Sequence, residues 1–89
     1  MRYVWNPTKA RTNQKKHGVS FDEAVTTFAD PLGIIVDDDD HPERAILIGT
    51  SWNDRILLTV FIEKSEDETR LISARPATRA ERRRYEEGE

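Results

Sequence analysis

Along this chain the apolar positions follow a helical period first and a strand period afterwards. Phe21, Ala24, Val25 and Phe28 recur at intervals of three and four, which puts them on one face of a helix. Ser20-Phe21-Asp22-Glu23 has the form of a capping box at the start of that helix, with Val19 and Ala24 placed as a hydrophobic staple. Asp30-Pro31 ends it. Upstream, Asn6-Pro7 reads as an N-cap with proline at the first helical position. Gly18 supplies the left-handed residue that closes a helix running to about Lys16. That first helix is polar around most of its circumference, so only Ala10 and Asn13 are placed to touch the body. Met1–Trp5, with Tyr3 and Trp5 two apart, reads as a short edge strand.

From residue 32 the pattern is strand and turn. Leu32–Val36, Ala45–Gly49, Arg55–Glu63 and Thr69–Arg75 are apolar or alternating runs joined by short polar segments, which predicts a four-stranded antiparallel meander. Pro76 cannot donate to a ladder and stops the sheet. Thr78-Arg79-Ala80-Glu81 is a second capping box and opens a last helix. The order is short strand, two helices, four strands, one helix. It predicts an α+β fold, one domain over residues 1–89, with the helices packed on one face of the sheet.

Charge adds a polarity that the net value of -3 hides. Residues 1–21 carry five basic side chains and no acid, whereas residues 22–43 carry eight acids and no Lys or Arg. Residues 70–84 hold six arginines and one acid, Glu81. A basic face opposed to an acidic one can steer a polyanion to one cleft. There is no cysteine, which fits a reducing cytoplasm, and no apolar run approaches the ~20 residues of a membrane span. The expected location is cytoplasmic, away from membranes.

Arginine suits planar, bidentate capture of phosphate. Arg75 ends the last strand and Arg79 lies in the first turn of the last helix, where free N–H groups also favour anions. The two can converge on one phosphate; the plainer alternative pairs Arg75 with an acid such as Glu81. By strict alternation Arg70, Ile72 and Ala74 share one face, and Leu71, Ser73 and Arg75 the other. His17 could move protons near neutral pH, or could simply complement the helix dipole beside Lys15 and Lys16. Tyr85 could donate a proton or stack on a base, or pack on the sheet. Trp52, alone in the polar turn Ser51–Asp54, fits an exposed anchor for a partner and packing against a strand equally well. Asp37–Asp40 with His41 lack the ligand spacing of a calcium loop and read as a solvated hairpin. No metal site and no cofactor are expected.

Two segments together carry a resemblance: Lys16-His17-Gly18-Val19-Ser20-Phe21 and Ser73-Ala74-Arg75-Pro76-Ala77-Thr78 with Glu81-Arg82-Arg83-Arg84-Tyr85. With Trp5, Lys9, Asn13, Glu23-Ala24, Asp30-Pro31, Glu43-Arg44 and Ile48-Gly49, they make the chain resemble the BrnT family of bacterial type II toxins along nearly its whole length. The resemblance implies a RelE-like fold and a ribonuclease that arrests translation. It also implies a cognate BrnA-like antitoxin with a ribbon-helix-helix part that binds operator DNA. Two positions depart from the family pattern. Asn6 follows Trp5 where the family usually has Asp, and either residue caps a helix. Thr50 stands between Gly49 and Ser51 where the family often has Arg, which removes one cation from an RNA surface.

The chemistry implied is metal-independent: a base takes the proton of a ribose 2′-OH, and the oxygen attacks the adjacent phosphate while cations stabilise the charge. Arg75 and Arg79 are assigned to the phosphate. His17 is the first candidate for acid or base, with Glu81 and Tyr85 as rivals. Lys9, Lys16, Arg82 and Arg83 are assigned to substrate binding. RNA is expected along a face made by the first and last helices. The competing reading is a non-catalytic module whose arginines hold nucleic acid or an acidic peptide.

Overall fold

The computed structural model describes residues 1–88. Strand β1 (Arg2–Val4) leads into helix α1 (Pro7–His17), which Asn6 caps by accepting from the N–H groups of Thr8 and Lys9. Gly18, at φ 70°, closes it in the left-handed conformation. Helix α2 (Phe21–Thr26) continues as a 3-10 turn over Thr27–Ala29. Strands β2 (Ile34–Asp37), β3 (Ala45–Thr50), β4 (Ile56–Ser65) and β5 (Glu68–Pro76) form the antiparallel meander, and helix α3 (Arg79–Glu87) closes the described chain. The second strand starts two residues later than its apolar run, because Asp30 Oδ1 accepts from Leu32 N–H and folds Pro31–Leu32 into a turn. None of these helices is long and apolar enough to cross a membrane.

The sheet order is β1-β5-β4-β3-β2. β1 is an edge strand, and it runs parallel to β5, pairing only with Glu68–Arg70. The rest of that β5 edge is taken over by α1. Asn13, buried, accepts from Ala74 N–H (3.0 Å) and donates to the carbonyls of Ala74 (2.8 Å) and Val19 (3.0 Å). One side-chain amide thus replaces a strand partner, satisfying backbone groups that burial would otherwise leave orphaned.

One core lies between α1, α2 and the sheet. Val19, Phe21, Ala24, Leu57, Leu71 and Ala74 form it. Trp5 meets Phe21 edge-on, and a chain of rings runs Tyr3–Phe28–Phe61. The Val19–Ala24 staple is therefore part of the core itself. Thr59 is fully buried on this side, and its hydroxyl has no hydrogen-bond partner among the described residues. An unpaired buried hydroxyl is destabilising. Thr59→Val is accordingly expected to raise stability by about 1 kcal/mol, read as a higher urea midpoint with unchanged slope. A lower midpoint would show that the hydroxyl has a partner after all.

Two expectations need correction. Strict alternation fails in β5, because Ser73 pairs with Val60 and Leu71 with Phe61, leaving Ile72 as an extra, bulged residue. Leu71 and Ala74 therefore both face the core, while Arg70, Ser73 and Arg75 share the opposite face with their partners Ile62, Val60 and Leu58. Nor do all helices lie on one face. α3 is fastened to that opposite face, through Arg75 at one end and Thr50 at the other. Ile48 and Leu58, which point the same way, are buried there.

Candidate functional site: two cationic grooves at one end of the sheet

The residues nominated from sequence fall into three places. The first is a groove of 290 Å³ between α1 and the stretch of β5 beyond its pairing with β1. Lys9, Lys16 and His17 all line it, Lys9 about two helical turns before the other two, with Thr12 opposite Ile72 and Ser73. His17 is half-buried and makes no side-chain hydrogen bond among the described residues, so both ring nitrogens remain available.

The second place is the junction of β5 and α3. Thr78 caps α3, and the capping box is complete: Glu81 N–H donates to Thr78 Oγ1, and Thr78 N–H donates to Glu81 Oε1. The same carboxylate receives both terminal nitrogens of Arg75, at 2.8 and 2.9 Å. Arg75 thus makes the ion pair that was the plainer alternative. The guanidinium holds the Glu81 carboxyl down at about 2, helped by the Thr78 N–H. At neutral pH Glu81 is an ionised acceptor, and so weak a base abstracts protons poorly. Arg79, Arg82 and Arg83 stand beyond it with Glu86 around a shallow polar groove floored by Ile56. These three arginines are exposed. Arg75 does not line that groove.

The third place is Tyr85. Its hydroxyl donates to Asp30 Oδ2 at 2.5 Å and accepts from Thr50 Oγ1 at 2.9 Å. Burial, reinforced by the Asp30 carboxylate, pushes the phenol above its ordinary value. Burial disfavours the Asp30 carboxylate, but donation from Thr50 N–H, Tyr85 and Leu32 N–H more than offsets it and keeps the group below its usual range. Tyr85 therefore stays protonated and latches α3 to the sheet. Thr50 is half of that latch.

Sequence reasoning missed Arg55. Its Nε and Nη2 bind the buried Glu23 carboxylate, at 2.9 and 2.5 Å, and Nη2 also donates to Gly18 O at 3.0 Å. Glu23 accepts from Ser51 Oγ as well. The expected capping box of α2 is therefore only half made: Ser20 accepts from Glu23 N–H, but the Glu23 carboxylate turns inward. Arg55 also relates the two grooves. It grips the end of α1 beside His17, while the next residue, Ile56, accepts from Ala77 N–H at the start of the α3 junction. The two helices are on opposite faces of the sheet and make no common face, but Arg55 and Ile56 tie the end of α1 and the approach to α3 to the same end of β4. Among the described residues no group of three or more His, Cys, Asp or Glu side chains could hold a metal ion.

A family model for the ribonuclease toxin BrnT of type II toxin–antitoxin systems matches residues 5–81. The chain belongs to the BrnT family. That span holds the whole α1 groove and the Arg75–Glu81 junction, and stops short of Arg82, Arg83 and Tyr85. The fold is similar to the crystal structure of the Brucella abortus ribonuclease toxin BrnT, with a TM-score of 0.73 at 22% identity over 89% of this chain and 99% of that one. No curated protein matches the chain. As a BrnT-family member it is a ribonuclease toxin of a type II system, and such a system implies an RNA substrate and an antitoxin.

Proposed function

We propose that this chain cuts RNA without a metal ion, by attack of a ribose 2′-OH on the neighbouring phosphate, and so inhibits translation in the cytoplasm. The observation that carries this reading is the presence of Lys9, Lys16 and His17 in one groove between α1 and β5. His17 is the acid or base, because its rivals are committed elsewhere: Glu81 to Arg75 and Tyr85 to Asp30 and Thr50. Lys9 and Lys16 hold the phosphates that flank the cut, and Arg82 and Arg83 those further along. Arg75 and Arg79 are assigned to the scissile phosphate on the reading that RNA crosses from the α1 groove to the β5–α3 junction, with Glu81 fixing the plane of the Arg75 guanidinium.

The step balances on the chain's own groups. His17 takes the 2′-OH proton, the 2′-oxygen bonds to phosphorus, and the bond to the 5′-oxygen breaks. The leaving 5′-oxygen takes a proton back from the imidazolium that His17 has become, and a 2′,3′-cyclic phosphate remains. Cleavage is therefore expected to persist in excess EDTA. DNA, or RNA methylated at the 2′-OH of the cut site, is expected to resist. Loss of activity on chelation with rescue by Mg²⁺ would overturn the 2′-OH scheme.

The partner is proposed to be a ribbon-helix-helix antitoxin, BrnA-like, that also binds operator DNA and covers the cationic end with an acidic or amphipathic segment. The Arg75–Glu81 pair favours the second reading to this extent: a guanidinium already neutralised suits a binding surface as well as a catalytic one. His17→Ala discriminates, since a nuclease loses cleavage while retaining RNA, whereas a binder has no cleavage to lose.

A further inference from the structure

A further groove on the described chain lies away from the cations of the α1 and α3 grooves. It encloses 630 Å³ between α2, the 3-10 turn and the β3–β4 turn, and its walls include Val25, Phe28, Ala29 and Trp52. Trp52 is 74% exposed, so the packed alternative for this side chain does not hold. Leu32 is 70% exposed. Neither stands on a loose loop. Trp52 N–H donates to Thr26 Oγ1 at 3.0 Å and Leu32 N–H to Asp30 Oδ1 at 2.9 Å, so both are tied to the two ends of the 3-10 turn. Exposed apolar residues are ordinary when scattered. Two whose backbones are pinned at either end of one turn, with an apolar groove beside it, have the placing an interface anchor needs.

Arg55, the cation that follows the Trp52 turn, is held by Glu23 and the Gly18 carbonyl. No Lys or Arg lines the groove. Asp22 lies one helical turn before Val25 and Thr26 on the same side of α2, and Asp54 lies in the Trp52 turn. Asp30 is also present, but its carboxylate is filled by three donors. An acidic occupant is therefore disfavoured here.

We propose that this groove is an anchor site for the antitoxin, taking an amphipathic segment that presents an apolar side chain to Trp52, Val25 and Phe28 and a Lys or Arg to Asp22 and Asp54. The proposal rests on the toxin reading for the identity of the occupant. It separates two contacts of one partner: an acidic part that covers the RNA cations, and a basic apolar part that holds on elsewhere. Apolar anchors govern residence time, and rim charges govern encounter.

The test uses the full chain and its full-length cognate antitoxin, with association and dissociation rates measured at low and high salt. Trp52→Ala is expected to speed dissociation tenfold or more at both salt concentrations. Asp22→Lys with Asp54→Asn is expected to slow association several-fold at low salt and little at high salt. Asn is chosen at position 54 because φ there is 59°, a conformation Asn tolerates. RNA cleavage by each variant without antitoxin should equal that of the unmodified chain. Unchanged rates in both variants would overturn the proposal. So would a chain that is dimeric alone and becomes monomeric with Trp52→Ala while its antitoxin affinity is unchanged, since the occupant would then be a second copy. If the rates change as expected but no RNA is cut by any variant, the docking site stands and the nuclease reading fails.

Discussion

Arg79→Ala is expected to lower RNA cleavage by ~10²–10³, the usual cost of removing one donor aimed at a developing oxyanion. The fold should be unaffected, because Arg79 is exposed and makes no ion pair among the described residues. Arg75→Ala should reduce cleavage comparably but with some loss of stability. Arg75 is the bidentate partner of Glu81, whose carboxylate also closes the α3 cap on Thr78 N–H. Removing the cation leaves that carboxylate with its cap bond alone, so the first turn of α3 should fray. Arg75→Lys separates charge from geometry, since an ammonium cannot supply two parallel N–H bonds to one carboxylate. Glu81→Gln gives a third arm. If Glu81 only orients Arg75, the amide, which keeps its oxygen for Thr78 N–H, should leave substantial activity. Single-turnover rates on a short RNA, with thermal melts of each variant, decide the matter. A correctly folded Arg75→Ala, Arg79→Ala double variant that cuts at the unmodified rate would remove both residues from the site.

The parts of the site legible in the sequence are those whose causes are local. Asn6-Pro7, Gly18, Ser20 and Thr78-Glu81 each act over four residues or fewer, and the observed helices start and stop at them. The groove of Lys9, Lys16 and His17 follows from helical spacing once α1 is granted. What was hidden depends on residues far apart in the chain. The bulge at Ile72 is a property of the pairing with β4, and it reverses the face of Arg70 relative to a strict count. The side on which α3 lands is decided by Arg75–Glu81 and by Tyr85 reaching Asp30 and Thr50, 55 and 35 residues away. Glu23 looked like half of a capping box because Ser20 is its neighbour. Its actual partner, Arg55, is 32 positions along, and no periodicity marks the pair. Trp52 was balanced between two environments, and only the anchoring of its turn to Thr26 leaves it in solvent.

The largest stability change is expected at that hidden pair. Arg55→Met should cost about 2–3 kcal/mol, toward the low side of what removing one partner of a buried ion pair does. The discount follows from exposure: the Glu23 side chain is 6% exposed but that of Arg55 is 39%, so solvent screens part of the interaction. Glu23→Gln should cost less, about 1–2 kcal/mol, because the amide can still accept from Ser51 and no buried charge is left behind. Acid then reveals the origin of the loss. Hydrogen bonding from Arg55 outweighs burial and keeps the Glu23 carboxyl below its ordinary value, so its folded pKa lies under the unfolded one. Its stabilisation is therefore full above the unfolded value and is lost as pH falls through the folded value. Glu81 behaves alike, with a folded value of about 2. The unmodified chain should thus weaken steadily below the ordinary carboxylate range. In Arg55→Met the burial of the Glu23 carboxylate is no longer opposed by a cation, so protonation there relieves a penalty. Its stability gap from the unmodified chain should narrow on acidification. Urea denaturation at a series of pH values measures this directly. A gap that stays constant, or widens, would mean that Arg55 stabilises the fold through its bond to the Gly18 carbonyl at the end of α1, and that the charge on Glu23 matters little.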